Sequence, residues 1–187
     1  MPPKAKVTRE MIVDAAFEIL RSEGEQAVNV RTVSQALNCS TQPVMYHFKT
    51  IGALKRALYE KADAYHTACI TQIHGAQPMR DIGLNYIRFG VRERNVFRFL
   101  FQSNEFSGTS LTELIHVEAL KPVLALLCRE TGLSEEQAET AFRALFLAVH
   151  GYASMFANNE MTYNEPAVLS DLRLVFDGTV LALKGEG

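Results

Sequence analysis

The sequence predicts an all-α protein, and three observations predict it. Apolar residues recur at helical spacing (i, i+3 or i+4, i+7) along almost the whole chain of 187 residues. No alternating Val/Ile/Thr-rich run of strand length stands between turn residues. The periodic stretches are punctuated by helix starters (Thr8, Asn29, Ser40, Ser134) and helix stoppers (Gly24, Gly75, Gly132).

The first helix begins at Thr8 and presents Ile12, Ala16, Ile19 and Leu20 on one stripe, widened by Val13 and Phe17, before Gly24 stops it. A short second helix, residues 30–37, is capped by Asn29, turns Val33 and Leu37 inward and ends at Asn38, a residue that tolerates left-handed backbone. Ser40 caps a third, about residues 41–47. Its Pro43 sits in the first turn, where a missing N–H costs no intrahelical bond. A long fourth helix, about residues 51–73, carries Leu54, Leu58, Ala62, Tyr65 and Cys69 on one stripe until Gly75 and Pro78.

Beyond it the pattern predicts a helix over residues 79–94, a short one over 96–102, a loop at Ser107–Gly108, and a helix over 110–130 kinked at Pro122 and ended by Gly132. Ser134 followed by Glu135, Glu136 and Gln137 reads as a capping-box start. The helix it opens, residues 135–158, has one stripe of Ala138, Phe142, Leu145, Val149, Tyr152 and Phe156. A second stripe holds Ala141, Ala144, Ala148, Gly151 and Met155. The last helix, residues 166–184, is similarly apolar through Val168, Leu172, Val175, Phe176, Val180 and Leu183. Helices apolar on more than one side are buried on more than one side. At the end of a chain, a two-fold partner subunit covers the second side most simply; burial within one chain is the alternative.

Composition narrows the function class. With 48% hydrophobic residues, 21% charged residues and a net charge of −2, the chain is of ordinary globular make-up. No stretch approaches the roughly 18 apolar residues of a membrane span, and Met-Pro-Pro-Lys-Ala-Lys lacks the apolar region of a signal peptide. The expectation is a cytoplasmic protein without membrane contact. Cys39, Cys69 and Cys128 show no metal-ligand spacing and read as reduced thiols, so neither metal nor cofactor is expected. The charge is uneven: residues 1–62 hold nine Lys/Arg against six Asp/Glu, and the remainder ten against fifteen. A basic amino-terminal module, residues 1–50, on an acidic body, residues 51–187, fits a nucleic-acid reader with a separate second task.

The stretch LNCSTQPVMYHF, Leu37 to Phe48, carries that reader. Two short helices joined by a turn form a helix-turn-helix, whose second helix enters the major groove. The stripes of helices one and four account for packing and leave Gln42, Tyr46 and His47 without a packing role. Asn29, Thr32, Ser40, Tyr46 and Lys49 suit phosphates, which set register and affinity. Thr41 and Gln42, at the entering end, suit base edges: glutamine pairs bidentately with adenine, and a threonine methyl meets a thymine methyl. Lys4 and Lys6 lie on a basic arm suited to the DNA backbone or a minor groove.

Residues 8–58, TREMIVDAAFEILRSEGEQAVNVRTVSQALNCSTQPVMYHFKTIGALKRAL, resemble the DNA-binding domain of tetracycline-repressor-like (TetR) regulators. The resemblance rests on Ile12, Ala15 and Ala16, the Gly24 stop, Arg31 and Val33, Ser40, Phe48 and Leu54, with VHGYASMF at Val149–Phe156 similar to a His-Gly segment of some members. It implies a homodimer whose third helices enter successive major grooves of a palindromic operator. It also implies a body that binds a small-molecule effector and dimerises through its last two helices. The function implied is sequence-specific transcriptional repression relieved by that effector.

Two positions depart from the family pattern. Met45 stands where the family carries a phosphate-gripping tyrosine, with Tyr46 one residue later, and Ile51 stands where a lysine opens the fourth helix. Lys49, Lys55 and His47 are the substitutes at hand, and Arg31 completes the DNA-facing set. For the effector, helical pockets of this kind are apolar with a few placed polar groups, which selects Tyr86, Phe89, Phe97, Phe101, Phe106, His116, His150 and Met155. The competing reading is a small-molecule carrier or an enzyme built on His116 and His150 with an inert basic module. No G-x-S-x-G, H-E-x-x-H or glycine-rich phosphate loop supports catalysis, so no enzymatic activity is expected.

Overall fold

The computed structural model of the protein describes residues 7–102 and 118–185. As the periodicity predicts, the described residues hold nine α-helices and two 3₁₀ turns and no strand. The helices are α1 (Arg9–Glu23), α2 (Val30–Ala36), α3 (Thr41–His47), α4 (Ile51–Ile70), α5 (Pro78–Arg92), α6 (Arg94–Gln102), α7 (Lys121–Thr131), α8 (Glu135–Asn158) and α9 (Glu165–Gly185). They fall into two compact units: Met1–Thr67 with Glu93–Ser103, and Ala68–Arg92 with Asn104–Gly187.

In the first unit α1 packs against α2, α3 and α6. Its start is capped as the sequence indicates, with the Thr8 hydroxyl oxygen accepting the Met11 N–H at 3.2 Å. It ends at Gly24, where φ of +88° lies in a region that side-chain-bearing residues avoid. Ile12, Ala16 and Leu20 of α1 join Val33, Val44, Leu54, Leu58 and Phe97 in the fully buried core. The α2–α3 turn pivots on Asn38 at φ +49°, with the Cys39 N–H reaching the Ser34 carbonyl at 3.0 Å.

Glu93, which opens α6, is held from two sides. The Arg21 guanidinium donates to both of its oxygens at 3.0 and 2.7 Å, and the Tyr65 hydroxyl donates at 2.8 Å. Partial burial pushes the Glu93 carboxyl up; the bonds from Arg21 and Tyr65 and the Arg21 charge outweigh it, and the net shift is downward.

In the second unit α8 lies between α5, α7 and α9. One apolar cluster forms around Met79, Leu127, Leu133, Ala138 and Ala141, another around Leu84, Ile87, Phe156, Val168 and Leu172. Helices α5 and α8 approach closely at Gly90, where an added Cβ would lie 2.7 Å from the Ala153 carbonyl oxygen. Arg88 clamps Glu165 at the start of α9 through a two-pronged ion pair, one limb at 2.9 Å. Ser134 and Gln137 form the expected capping box at the start of α8.

Two expectations are corrected. Pro122 does not kink a longer helix. It stands in the first turn of α7, after a 3₁₀ turn at Glu118–Leu120, because proline needs no intrahelical acceptor there. The Ser107–Gly108 loop lies outside the described residues. The fourth helix stops at Ile70 rather than residue 73. Asn85 of α5 donates to the Ile70 and Gln72 carbonyls at 3.4 and 2.7 Å, and Asp81 accepts the His74 and Gly75 N–H groups at 3.1 and 2.7 Å. Those side chains satisfy backbone groups that a longer helix would have paired internally.

Candidate functional site

The polar island is presented by a firmly seated helix. Pro43 admits the α3 start, Val44 is fully buried and Phe48 nearly so. That seating orients the opposite face: Thr41 and Gln42 are exposed, Met45 is 42% exposed and Tyr46 71%. Ser40 occupies the N-cap position without using its hydroxyl as a cap. Of the two tyrosine-position candidates, Tyr46 is therefore the more open. Its ring meets His47 edge-on at 5.2 Å, and the Lys49 ammonium stands 5.7 Å from its centroid.

Other residues of the predicted set have structural employment. The Asn29 carboxamide oxygen accepts the Arg31 and Thr32 N–H groups at 3.0 and 3.1 Å while its amide donates to Ala27. Thr32 returns the bond by accepting the Asn29 N–H at 3.2 Å, a capping box with threonine in the usual Glu/Gln place. Arg31 projects from the first turn of α2, exposed. Lys55 is paired with Glu25 at 2.7 Å. His47 is half-buried, its Nε2 3.1 Å from the Val7 carbonyl oxygen. One residue escaped the sequence reading: the Arg9 guanidinium lies over the Phe48 ring at 5.0 Å.

The effector candidates are distributed over both units. In the second unit Tyr86, buried on α5, and His150 of α8 share a hydrogen bond at 2.9 Å. Burial pushes the Tyr86 phenol up and the His150 imidazole down, so both are uncharged at neutral pH. Phe146 stacks on His150 at 5.4 Å, meets Tyr86 edge-on at 6.0 Å and stacks on Phe142 at 6.1 Å. Phe142, Phe146 and His150 are spaced i, i+4, i+8 on α8. That spacing was the available signal for the two phenylalanines, which the sequence reading did not assign to a site. Phe89 is buried nearby in sequence on α5.

Met155 is 52% exposed and lies on the α8 face that carries Leu147 and Gly151. Phe97 and Phe101 belong to the first unit, where their rings lie 4.8 Å apart and Phe101 meets buried His66 at 5.3 Å. Phe106 and His116 lie outside the described residues. No group of three or more metal-ligating side chains occurs among the described residues, and none of their helices is long and apolar enough to cross a membrane.

A seated helix-turn-helix with an exposed polar reading face, joined to a separate helical body, defines a two-part DNA-binding regulator. Comparison places it more narrowly. Residues 79–178, more than half of the chain, match the family described as tetracyclin repressor-like, C-terminal domain. The HTH-type transcriptional regulator YobS of Bacillus subtilis (strain 168) is 25% identical over 171 residues, 88% of this chain and 87% of that protein. An HTH-type regulator of Xanthobacter autotrophicus is 33% identical over 76 residues, 41% of this chain and 36% of its own length.

Two crystal structures share the fold. A glutamine-to-alanine variant of TetR from Acinetobacter baumannii AYE, in complex with minocycline, has a TM-score of 0.59 at 20% identity over 96% of this chain and 97% of its own. The multidrug binding protein EbrR, complexed with imidazole, has a TM-score of 0.54 at 19% identity over 89% and 88%. The chain belongs to the tetracycline repressor-like family of helix-turn-helix transcriptional regulators.

Proposed function

We propose that this regulator is a cytoplasmic homodimeric repressor that leaves its operator when a small molecule binds the body. The carrying observation is the exposed Thr41–Gln42–Tyr46 face of a helix locked from behind by Val44 and Phe48. In this reading Thr41 and Gln42 meet base edges, while Ser40, Tyr46, Lys49 and Arg31 meet phosphates. Tyr46 takes the gripping role that Met45 vacates. Met45, beside it, lends apolar contact.

The dimer reading is supported by uncovered apolar side chains on the last two helices: Leu147 and Met155 on α8, and Leu174 and Leu181 on α9, the latter two 73% and 74% exposed. Gly151 and Gly178 lie in the same stretches, with nothing within 4 Å of an added Cβ. A second copy packing there would bury both stripes by two-fold symmetry.

The effector reading is supported by the Tyr86–Phe142–Phe146–His150 cluster, an aromatic surface with one polar pair, and by the minocycline and imidazole bound by the two structural neighbours. A ligand there loosens DNA binding only if it prefers an arrangement of the two readers that fits the operator less well. No specific observation favours a catalytic use of His150.

The test is selection of genomic fragments followed by footprinting. The expected footprint has two half-sites related by two-fold symmetry, about one helical turn (roughly 34–36 Å) apart or a multiple of it. A single asymmetric site, or no retained fragment at low salt, would overturn the proposal.

A further inference from the structure

Met45 stands on the flank of the reading helix. At about 100° per residue, Val44 and Phe48 mark the buried side of α3, Gln42 and Tyr46 fall nearly opposite, and Met45 lies between the two sides next to Gln42. Its side chain is 42% exposed, so the core does not account for a residue of this size there. A thioether donates no hydrogen bond and carries no charge, so Met45 has nothing to offer a phosphate. What an exposed apolar group gains from is another apolar group that leaves water with it. On the base edges of a major groove that group is the thymine C5 methyl. The unbranched, polarizable methionine chain adapts readily to such a small, uneven surface. Met45 follows Gln42 by three residues. That is about 4.5 Å along the helix axis, against roughly 3.4 Å per base-pair step. With α3 lying along the groove, the two side chains meet neighbouring base pairs.

We propose that Met45 is a specificity-determining residue that reads a thymine methyl at the base pair beside the one Gln42 meets. The inference rests on the DNA-binding reading and gives it an apolar reader. Tyr46, 71% exposed, keeps the phosphate role, so positions 45 and 46 divide base reading from gripping. Burying a methyl displaces no counterion from the DNA, so this preference should hold its size as salt rises while overall affinity falls.

The test starts by selecting from a random-sequence duplex library with the full chain. Anisotropy titrations then follow the recovered duplex with its thymines replaced by uracil, one position at a time. Uracil keeps the O4 acceptor and lacks only the methyl, so the substitution isolates the apolar contact. Burying one such group is worth about fourfold in affinity, so one uracil beside the Gln42 position should cost about fourfold, and the symmetric pair about sixteenfold. In Met45→Ala that cost should vanish at this position, while a thymine met by Thr41 stays as sensitive as in wild type. Met45→Leu, still large and apolar, should retain it. Met11→Ala is the control: Met11 is 39% exposed on α1, and every uracil cost should match wild type. Uracil costs that are absent in wild type, or that survive unchanged in Met45→Ala, would overturn the proposal while leaving the DNA-binding reading intact. Wild-type protein that enriches no sequence from the library would overturn both.

Discussion

Gly90→Ala is the sharpest probe of the packing that shapes the body. The new Cβ would stand 2.7 Å from the Ala153 carbonyl oxygen and 2.9 Å from both its Cα and its Cβ. Two of these three are backbone atoms of α8, so no rotamer change relieves the clash, and the helices must separate. Leu84, Ile87 and Phe156 on either side are packed into one cluster, and the Arg88–Glu165 clamp sits next to the site, so separation strains contacts in both directions. Overpacking of this kind costs about 3 kcal/mol at its upper end. Replacing an interior helical glycine returns about 1 kcal/mol of propensity, leaving a net loss of about 2 kcal/mol.

Gly83→Ala on the same helix is the control, because its Cβ would meet only Val149 Cγ2 at 3.6 Å, an ordinary contact. It should be neutral or gain up to about 1 kcal/mol. Urea unfolding of both variants checks the argument, with Gly90→Ala expected to lose roughly 4–8 °C in a parallel thermal scan. Equal midpoints for the two alanine variants would refute the close approach of α5 and α8.

Three further outcomes follow from the same reasoning. Asn29→Ala removes the acceptor for two N–H groups and should weaken α2 by about 1 kcal/mol, seen as lost amide-exchange protection in α2 with α8 unaffected. On the selected operator Gln42→Ala should cost about 1–3 kcal/mol and spare binding to poly(dG-dC), which offers no adenine, whereas Tyr46→Phe should weaken both equally; anisotropy titrations on the two duplexes separate base reading from phosphate gripping. Burial holds the His66 imidazole at about 4, below its ordinary 6.5, so the folded state excludes a proton that the unfolded chain binds. The group leaves stability unaffected above pH 6.5 and destabilises the folded state as pH falls toward 4, by about 3 kcal/mol in all. His66→Leu should flatten that part of a urea-midpoint profile against pH.

Much of the fold was legible because its signals are local. Thr8, Asn29 and Ser134 cap where the sequence places them, since each cap is a hydrogen bond between residues two or three apart. Ser40 illustrates the limit: it takes the N-cap position, yet its hydroxyl makes no cap bond, so residue type located the boundary and not the contact. Pro122 shows another. A proline inside a periodic stretch signals either a kink or a start, and only the 3₁₀ turn ahead of it at Glu118–Leu120 decides for a start. The fourth helix ran short for a similar reason, because its carbonyls are taken by Asn85, thirteen residues beyond Gln72.

The candidate sites divide the same way. The sequence by itself determined the helical class and the helix-turn-helix, and it set Thr41 and Gln42 on the exposed side of the third helix. Period and turn chemistry decide which side of a short helix faces out, and both are properties of neighbouring residues. Tertiary structure alone decided that Tyr46 is more open than Met45, that His47 faces Val7 rather than solvent, and that His150 gathers Tyr86 and Phe146 while Phe97 and Phe101 belong to the other unit. Those contacts join residues 40 and 64 positions apart. They are set by the packing of whole helices, and the order of residues along one helix carries no record of which partner its faces will meet.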